Sequence, residues 1–262
     1  MISLSYIINP SGGIIYHLRA IRYRTSLWVP FRREISRWLR SWNPSERELL
    51  IIGCSAGHCF DFDWAQRFEK IALNEPDPLA RKIFAIRLRS SGYKGHIQVV
   101  KDNLIGPNEL GTFQWSKTET ALQRFEQSAL LFSNCLGQLP FLTEGPTESE
   151  STLIHSSFEK WRDQLSAWLE KRNQSWASFH DLLSGGIEPK PTPIESQLME
   201  ESELIRTFYG HRSGGVLQDH FMMGFLPTYR RTLLNWALHR SRWHLIEAIH
   251  SNRMHSLINP TQ

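Results

Sequence analysis

With 262 residues, 40% of them hydrophobic and 21% charged, the chain has apolar mass for one substantial core, a balance that excludes general disorder. Its three cysteines, Cys54, Cys59 and Cys135, form no CxxC pair, which argues against a disulfide framework and a cysteine zinc site and for a reducing, cytoplasmic compartment. The net charge is only +4, but Arg19, Arg22, Arg24, Arg32, Arg33, Arg37, Arg40 and Arg47 crowd the N-terminal part, offering a basic face to an anionic partner, an RNA or an acidic protein. No apolar run approaches the roughly 18 residues of a membrane-spanning helix. The opening MISLSYIINPSGG lacks the basic and then apolar pattern of an export signal.

In chain order, Leu18, Ile21, Phe31, Ile35 and Trp38 stand near helical spacing, interrupted by Pro30. They predict an N-terminal helical extension over 1–47 whose last helix ends before Asn43-Pro44. LLIIG (49–53) is a continuous apolar run, as in a strand buried on both faces of a parallel sheet. A helix is expected over 63–70. KIALNE (70–75), HIQVVKD (96–102) and SALLFSN (128–134) are further strand candidates, with a helix over 78–89. Strands alternating with helical patterns predict an α/β fold with right-handed crossovers. From 143 to 215 the character changes: a loop from Thr143, a helix over Phe158–Leu183 with Trp161, Leu165, Trp168 and Trp176, and breakers from Gly185 to Pro193. This range reads as a mainly helical insertion or cap. RTLLNWALHR (231–240) and WHLIEAIHS (243–251) predict an antiparallel hairpin that completes the sheet within 216–262.

The first strand runs into Gly53-Cys54-Ser55-Ala56-Gly57. The second and third glycines of G-x-G-x-x-G are missing and no Gly-Lys-Ser/Thr follows, so neither a nicotinamide or flavin dinucleotide nor a P-loop is expected. The same five residues match G-x-S-x-G, the elbow that exposes a nucleophilic serine. Ser55 would then need an acid such as Asp181 or Asp219 and a base such as His220 or His244. Against a serine hydrolase, only about fifty residues precede the elbow, too few for the earlier strands of that architecture.

As a series, LLIIGCSAG, LNEPDP, VVKDNL and LLFSNCLGQL resemble the successive motifs of the class I S-adenosylmethionine-dependent methyltransferase superfamily. The resemblance covers about 38–139 and extends to the C-terminal hairpin. It implies an α/β, Rossmann-like three-layer sandwich with a mostly parallel seven-stranded sheet, an antiparallel C-terminal hairpin and a helical insertion. Residues 48–142 would form its cofactor-binding half, S-adenosylmethionine would be the cofactor, and methyl transfer the activity. Gly53 and Gly57 would let the main chain approach the cofactor without a Cβ in the way. Ser55 stands in place of the usual middle glycine. Glu75 would accept both ribose hydroxyls, and Asp102 the adenine amino group.

Asn134 ends the fourth strand, where this superfamily often keeps a polar residue near the transferred methyl. SNCLGQ is not the N/D-PP-Y/F signature of amino-methylating enzymes, which argues against an adenine or glutamine amide target. Ser55 and this loose fourth motif also suit a non-catalytic descendant of the fold, an interaction module using the basic N-terminal face. His180-Asp181 and Asp219-His220 are adjacent acid and imidazole pairs, with His180 a candidate general base. Asp77 reads as the cap of the following helix. The histidines show neither H-x-x-x-H nor HExxH spacing, so no metal is expected.

Overall fold

The structure, a computed structural model, describes residues 13–142, 147–190, 194–196, 199–210 and 217–252. The opening residues 1–12 and the start of the loop expected from Thr143 lie outside these. The chain begins with α1 (Gly13–Tyr23) and α2 (Val29–Ser41). Pro30 sits in the first turn of α2, where its fixed φ and missing N–H cost nothing. Then follow β1 (Glu48–Ile52), β2 (Lys70–Asn74), α3 (Pro78–Ser90), β3 (His96–Val100), α4 (Trp115–Gln123) and β4 (Ala129–Ser133). The second half contains α5 (Glu148–Lys171), β5 (Trp176–Gly185), β6 (Ile194–Ser196), α6 (Glu201–Tyr209), β7 (Gln218–Asp219), β8 (Arg231–His239) and β9 (Arg242–Ser251).

All the strands join one sheet, ordered β3-β2-β1-β4-β5-β9-β8-β6, with β7 also paired to β5. The first five are mutually parallel and the remainder antiparallel to their neighbours. Alternation along β1 explains its unbroken apolar run. Leu49 and Ile51 face a core built with Phe31, Ile35 and Trp38 of α2 and Phe84 of α3, whereas Leu50 and Ile52 face Leu122 of α4 and Phe158 and Trp161 of α5. Two helical layers thus enclose the sheet, and neither strand face meets water. The order reverses at β1, which lies between β2 and β4, and Ile52 stands level with Asn74 and Phe132 at their carboxyl ends. Such a reversal opens a crevice at the strand ends.

The expected strands at 49–53, 70–75, 96–102 and 128–134 and the closing hairpin all form. Three readings require correction. The helix expected over 63–70 is a single 3-10 turn, Trp64–Arg67, because β2 begins at Lys70 and Trp64 and Phe68 turn into the core. The helix expected over Phe158–Leu183 stops at Lys171, and β5 follows, buried along its whole length. Its core is lined with Ser178, His180, Asp181 and Ser184, so the segment lacks the apolar run by which a central strand is recognised. Consequently 143–215 is more than a cap: it supplies β5, flanked by β4 and β9, and β6 beyond β8, and the described residues form nine strands where seven were expected.

Candidate functional site

At the carboxyl ends of β1, β2 and β4 lies a cavity of about 400 Å³. Gly53, Ser55, Glu75, Asp102 and Asn134 all line it, brought together from four strand ends. Gly57, the remaining sequence candidate, does not. The turn after β1 explains why. Gly53 and Gly57 have φ of +76° and +66°, and Ser55 and Ala56 share the left-handed region at +43° and +58°, which is strained for residues with a Cβ. A Cβ on Gly53 would stand 2.4 Å from the Cβ of Cys135, and one on Gly57 would stand 2.5 Å from the ring of Phe62 and 2.9 Å from that of Phe84. Gly53 therefore admits the end of β4 beside the cavity, while Gly57 admits the aromatic packing of α3 on the turn.

Glu75, one residue past β2, is buried. Its carboxylate accepts from the Ser55 N–H at 2.9 Å and the Asp77 N–H at 3.2 Å, and Arg81 donates to its carbonyl at 2.5 Å. Burial pushes its carboxyl pKa up against the opposing pull of the two N–H groups. The side chain is thus held in one orientation with lone pairs left over for a ligand. Asp102 lies on the opposite rim, its carboxylate half-exposed and paired with Arg124 at 2.5 Å. The Asn74 amide donates to the carbonyls of Val100 and Asp102 at 3.2 and 2.8 Å and so fixes that rim. Asn134 has a φ of +54°, and its Oδ1 is buried without a hydrogen-bond partner. A buried acceptor left unsatisfied beside a cavity is costly unless a ligand or water meets it.

Tyr16, His17 and Gln138 also line the cavity; the sequence carried no motif for Tyr16 and His17, and Gln138 stood unremarked in the LLFSNCLGQL stretch. Tyr16 and His17 belong to α1, which the tertiary fold lays over the glycine turn. His58 Nδ1 is 3.3 Å from the Arg87 guanidinium, His58 Nε2 is 3.2 Å from His17 Nδ1, and His17 Nε2 is 3.2 Å from Asp77 Oδ2. A guanidinium only donates and a carboxylate only accepts. The two ends therefore set both tautomers, and the chain runs in one direction from Arg87 through His58 and His17 to Asp77. Asp77 also accepts from Leu79 N–H at 2.8 Å as the N-cap of α3, as its position before Pro78 implied.

His180 is elsewhere. It is fully buried in β5, 2.9 Å from Ser178 Oγ and 3.2 Å from Glu247, whose carboxylate also accepts from Arg231 at 2.8 Å. It does not line the cavity. The elbow serine is no better placed for hydrolysis, since Ser55 Oγ donates to the Gly53 carbonyl at 3.4 Å, and no described hydrogen bond joins it to a histidine. His244 does pair with Asp181 at 2.7 Å, and His220 with Ser184 at 2.8 Å. On the basic face, Arg37 is paired with Glu34, Arg40 with Asp61 and Arg47 with Glu69, so acids neutralise part of the charge expected for an anionic partner. No described helix is long and apolar enough to cross a membrane.

By sequence the chain matches no family model and no curated protein. Among solved structures, it is similar to N-methyltransferase NodS from Bradyrhizobium japonicum WM9 in complex with S-adenosyl-L-homocysteine, at 11% identity over 84% of this chain and 85% of that one, with a TM-score of 0.42. A SAM-dependent methyltransferase from Aquifex aeolicus is similar at 11% identity over 82% and 89%, with a TM-score of 0.36. One from Thiobacillus denitrificans in complex with S-adenosyl-L-homocysteine is similar at 12% identity over 65% and 56%, with a TM-score of 0.33. The strand order, the five parallel strands and the antiparallel C-terminal pair make a Rossmann-like α/β fold.

Proposed function

We propose that the protein binds S-adenosylmethionine in the cavity at the strand ends and is a methyltransferase. The observation that carries this reading is Glu75: a buried carboxylate at the end of β2, aimed by the Ser55 and Asp77 N–H groups, on the wall of a cavity. Its position suits acceptance of two vicinal ribose hydroxyls, a task for which a carboxylate has enough lone pairs. When bound, the cofactor supplies an electrophilic methyl group on a sulfonium. Gly53 and the Ser55 backbone would border its amino-acid and ribose parts. Asp102, with the apolar side chain of Ile105 beside it in the cavity wall, would frame the adenine. The unpartnered Oδ1 of Asn134 suits a donor on the cofactor or on the methyl acceptor. Gly57 serves this site indirectly, by shaping the turn.

Calorimetric titration of S-adenosylmethionine and S-adenosylhomocysteine into the purified protein tests the reading. Micromolar binding is expected, weakened at least tenfold, about 1.4 kcal/mol or more, by Glu75→Ala. Because burial raises the Glu75 pKa and the ribose contact needs the ionised carboxylate, affinity should also fall at a higher pH than for an ordinary glutamate. Absence of binding up to millimolar concentration would sink the proposal and leave a non-catalytic interaction module. Salt-dependent binding of single-stranded RNA to the α1–α2 face would then be the measurement for that module.

A further inference from the structure

Beside the cavity, three elements far apart in sequence bring two imidazoles and a carboxylate together. Asp181 comes from β5, His220 from the residue after β7, and His244 from β9. All three are buried, and one ligand atom from each lies within 4.8 Å of the other two. The sheet is irregular here, with the β5–β9 register shifting between Asp181 and Leu183. At this bulge the Leu182 carbonyl accepts from the His220 N–H at 3.0 Å. Bulges re-aim side chains in this way, and they are common beside functional sites.

The hydrogen bonds settle where the protons are. His220 Nδ1 lies 2.7 Å from the Gly137 carbonyl, which only accepts, so the proton is on Nδ1 and Nε2 carries a lone pair. That Nε2 faces Ser184 Oγ at 2.8 Å. His244 Nδ1 lies 2.7 Å from Asp181 Oδ1. The Gln138 amide donates to the other oxygen of the Asp181 carboxylate. Asp181 therefore meets a donor at each oxygen, one of them His244. The remaining nitrogen, His244 Nε2, is buried with no partner. His220 is thus tied through Nδ1 and presents the lone pair of Nε2, the arrangement by which proteins orient metal-binding histidines, and His244 presents Nδ1 beside Asp181 once its Nδ1 proton is released or moved to the unpartnered Nε2.

Charge points the same way. The described hydrogen-bonding partners of the Asp181 side chain are His244 and Gln138; no lysine or arginine is among them. Arg242 meets the cluster through Ser184, at 2.8 Å, and shares its guanidinium with Gln218. A buried carboxylate is costly without a nearby cation.

We propose that Asp181, His220 and His244 form a structural binding site for one divalent transition-metal ion, of which zinc is the best fit. Two imidazole nitrogens and one carboxylate oxygen suit zinc, whereas magnesium and calcium favour all-oxygen shells. Tetrahedral ligands at zinc bond lengths lie about 3.4 Å apart. On binding, the 2.7 Å contact between His244 Nδ1 and Asp181 Oδ1 gives up its proton and opens to about that separation, ligand atoms farther apart, all within 4.8 Å, draw in, and Ser184 Oγ or a water takes the fourth position. The ion would tie β5, β9 and the segment after β7 together, and Gln138, which contacts both Asp181 and the cavity, links it to the cavity wall. This inference is independent of the methyltransferase reading.

The test uses full-length protein stripped with a chelator and titrated with Zn2+, then with Co2+ as a spectroscopic probe. About one zinc per chain should be retained through gel filtration, the Tm should rise on loading, and Co2+ should give the visible absorption of a four-coordinate site. His220→Gln and His244→Gln should each lower affinity at least about tenfold, while His96→Gln, exposed on β3, should leave it unchanged. Failure to retain zinc, or equal retention in the His220→Gln and His244→Gln variants, would overturn the proposal. If those variants do not fold, the Co2+ spectrum of the wild-type protein decides, and absence of a four-coordinate band overturns it.

Discussion

His58 illustrates how far a single side chain departs from its sequence context. It follows the glycine turn without belonging to a motif, yet it bridges Arg87 of α3 and His17 of α1. Burial first, then the positive charge of Arg87 and the neighbouring His17, press its pKa down to about 3. An unfolded histidine titrates near 6.5, so below that pH the unfolded chain takes up a proton that the folded one refuses. The stabilisation is complete above pH 6.5 and is lost as the pH falls toward 3, with a limiting slope of about 1.4 kcal/mol per pH unit for this one group. Chemical denaturation between pH 7 and pH 4 should show that slope in the wild type and a shallower one in His58→Gln; identical slopes would exclude His58 as the source. Of the residues singled out in the sequence, Glu75 and Asp102 both line the cavity; they stood out because a carboxylate at the end of a parallel strand serves turn chemistry or a ligand. Gly57 lies outside the cavity lining, and a glycine that packs against Phe62 and Phe84 looks, in sequence, like one that borders a cofactor.

Among the elements, α3 was the most readable. Asp77-Pro78 opens it with a capping side chain and a pre-set φ, and its Asp77 Oδ1 accepts from Leu79 N–H at 2.8 Å. Asp77 also holds His17 at 3.2 Å, so one carboxylate both starts α3 and anchors α1. Asp77→Ala should therefore destabilise the protein by about 1–2 kcal/mol in urea unfolding, more than Asp77→Asn, which keeps a capping oxygen. Equal losses in the two would mean that the cap contributes little. The element least readable was β5. Helix α5 ends at Arg172 without a glycine or proline to mark it; instead Arg172 donates to the carbonyls of Phe125 and Ser128 at 3.0 and 2.7 Å, a long-range device that leaves no local signal. The polar residues of β5 meet partners within the strand, Ser178 with His180, and far from it in sequence, Asp181 with His244 and Gln138 and Ser184 with His220 and Arg242, so its pattern is chemical rather than hydrophobic.

At the scale of the whole molecule, the N-terminal segment is part of the core. Trp28 is fully buried, donates from Nε1 to the Leu238 carbonyl at 3.1 Å and meets the Trp236 ring edge-on at 5.2 Å. Trp42 donates to the Ser251 carbonyl at 3.3 Å. The first helices therefore pack on the last hairpin and close one face of the sheet. Trp28→Ala should cost about 3–5 kcal/mol and lower the single thermal transition as a whole; loss of an isolated early transition would indicate that α1 and α2 melt separately. By itself, the sequence determined the alternation of strands and helices in the first half, the closing hairpin and the acids at the strand ends, because strand burial, helix caps and turns are encoded by near neighbours. Only the tertiary structure decided the place of β5, the lid of Tyr16 and His17 over the cavity, and the meeting of Asp181, His220 and His244. Each of these depends on contacts between residues far apart in the chain, and a buried polar group declares its purpose only when the partner that satisfies it is in view.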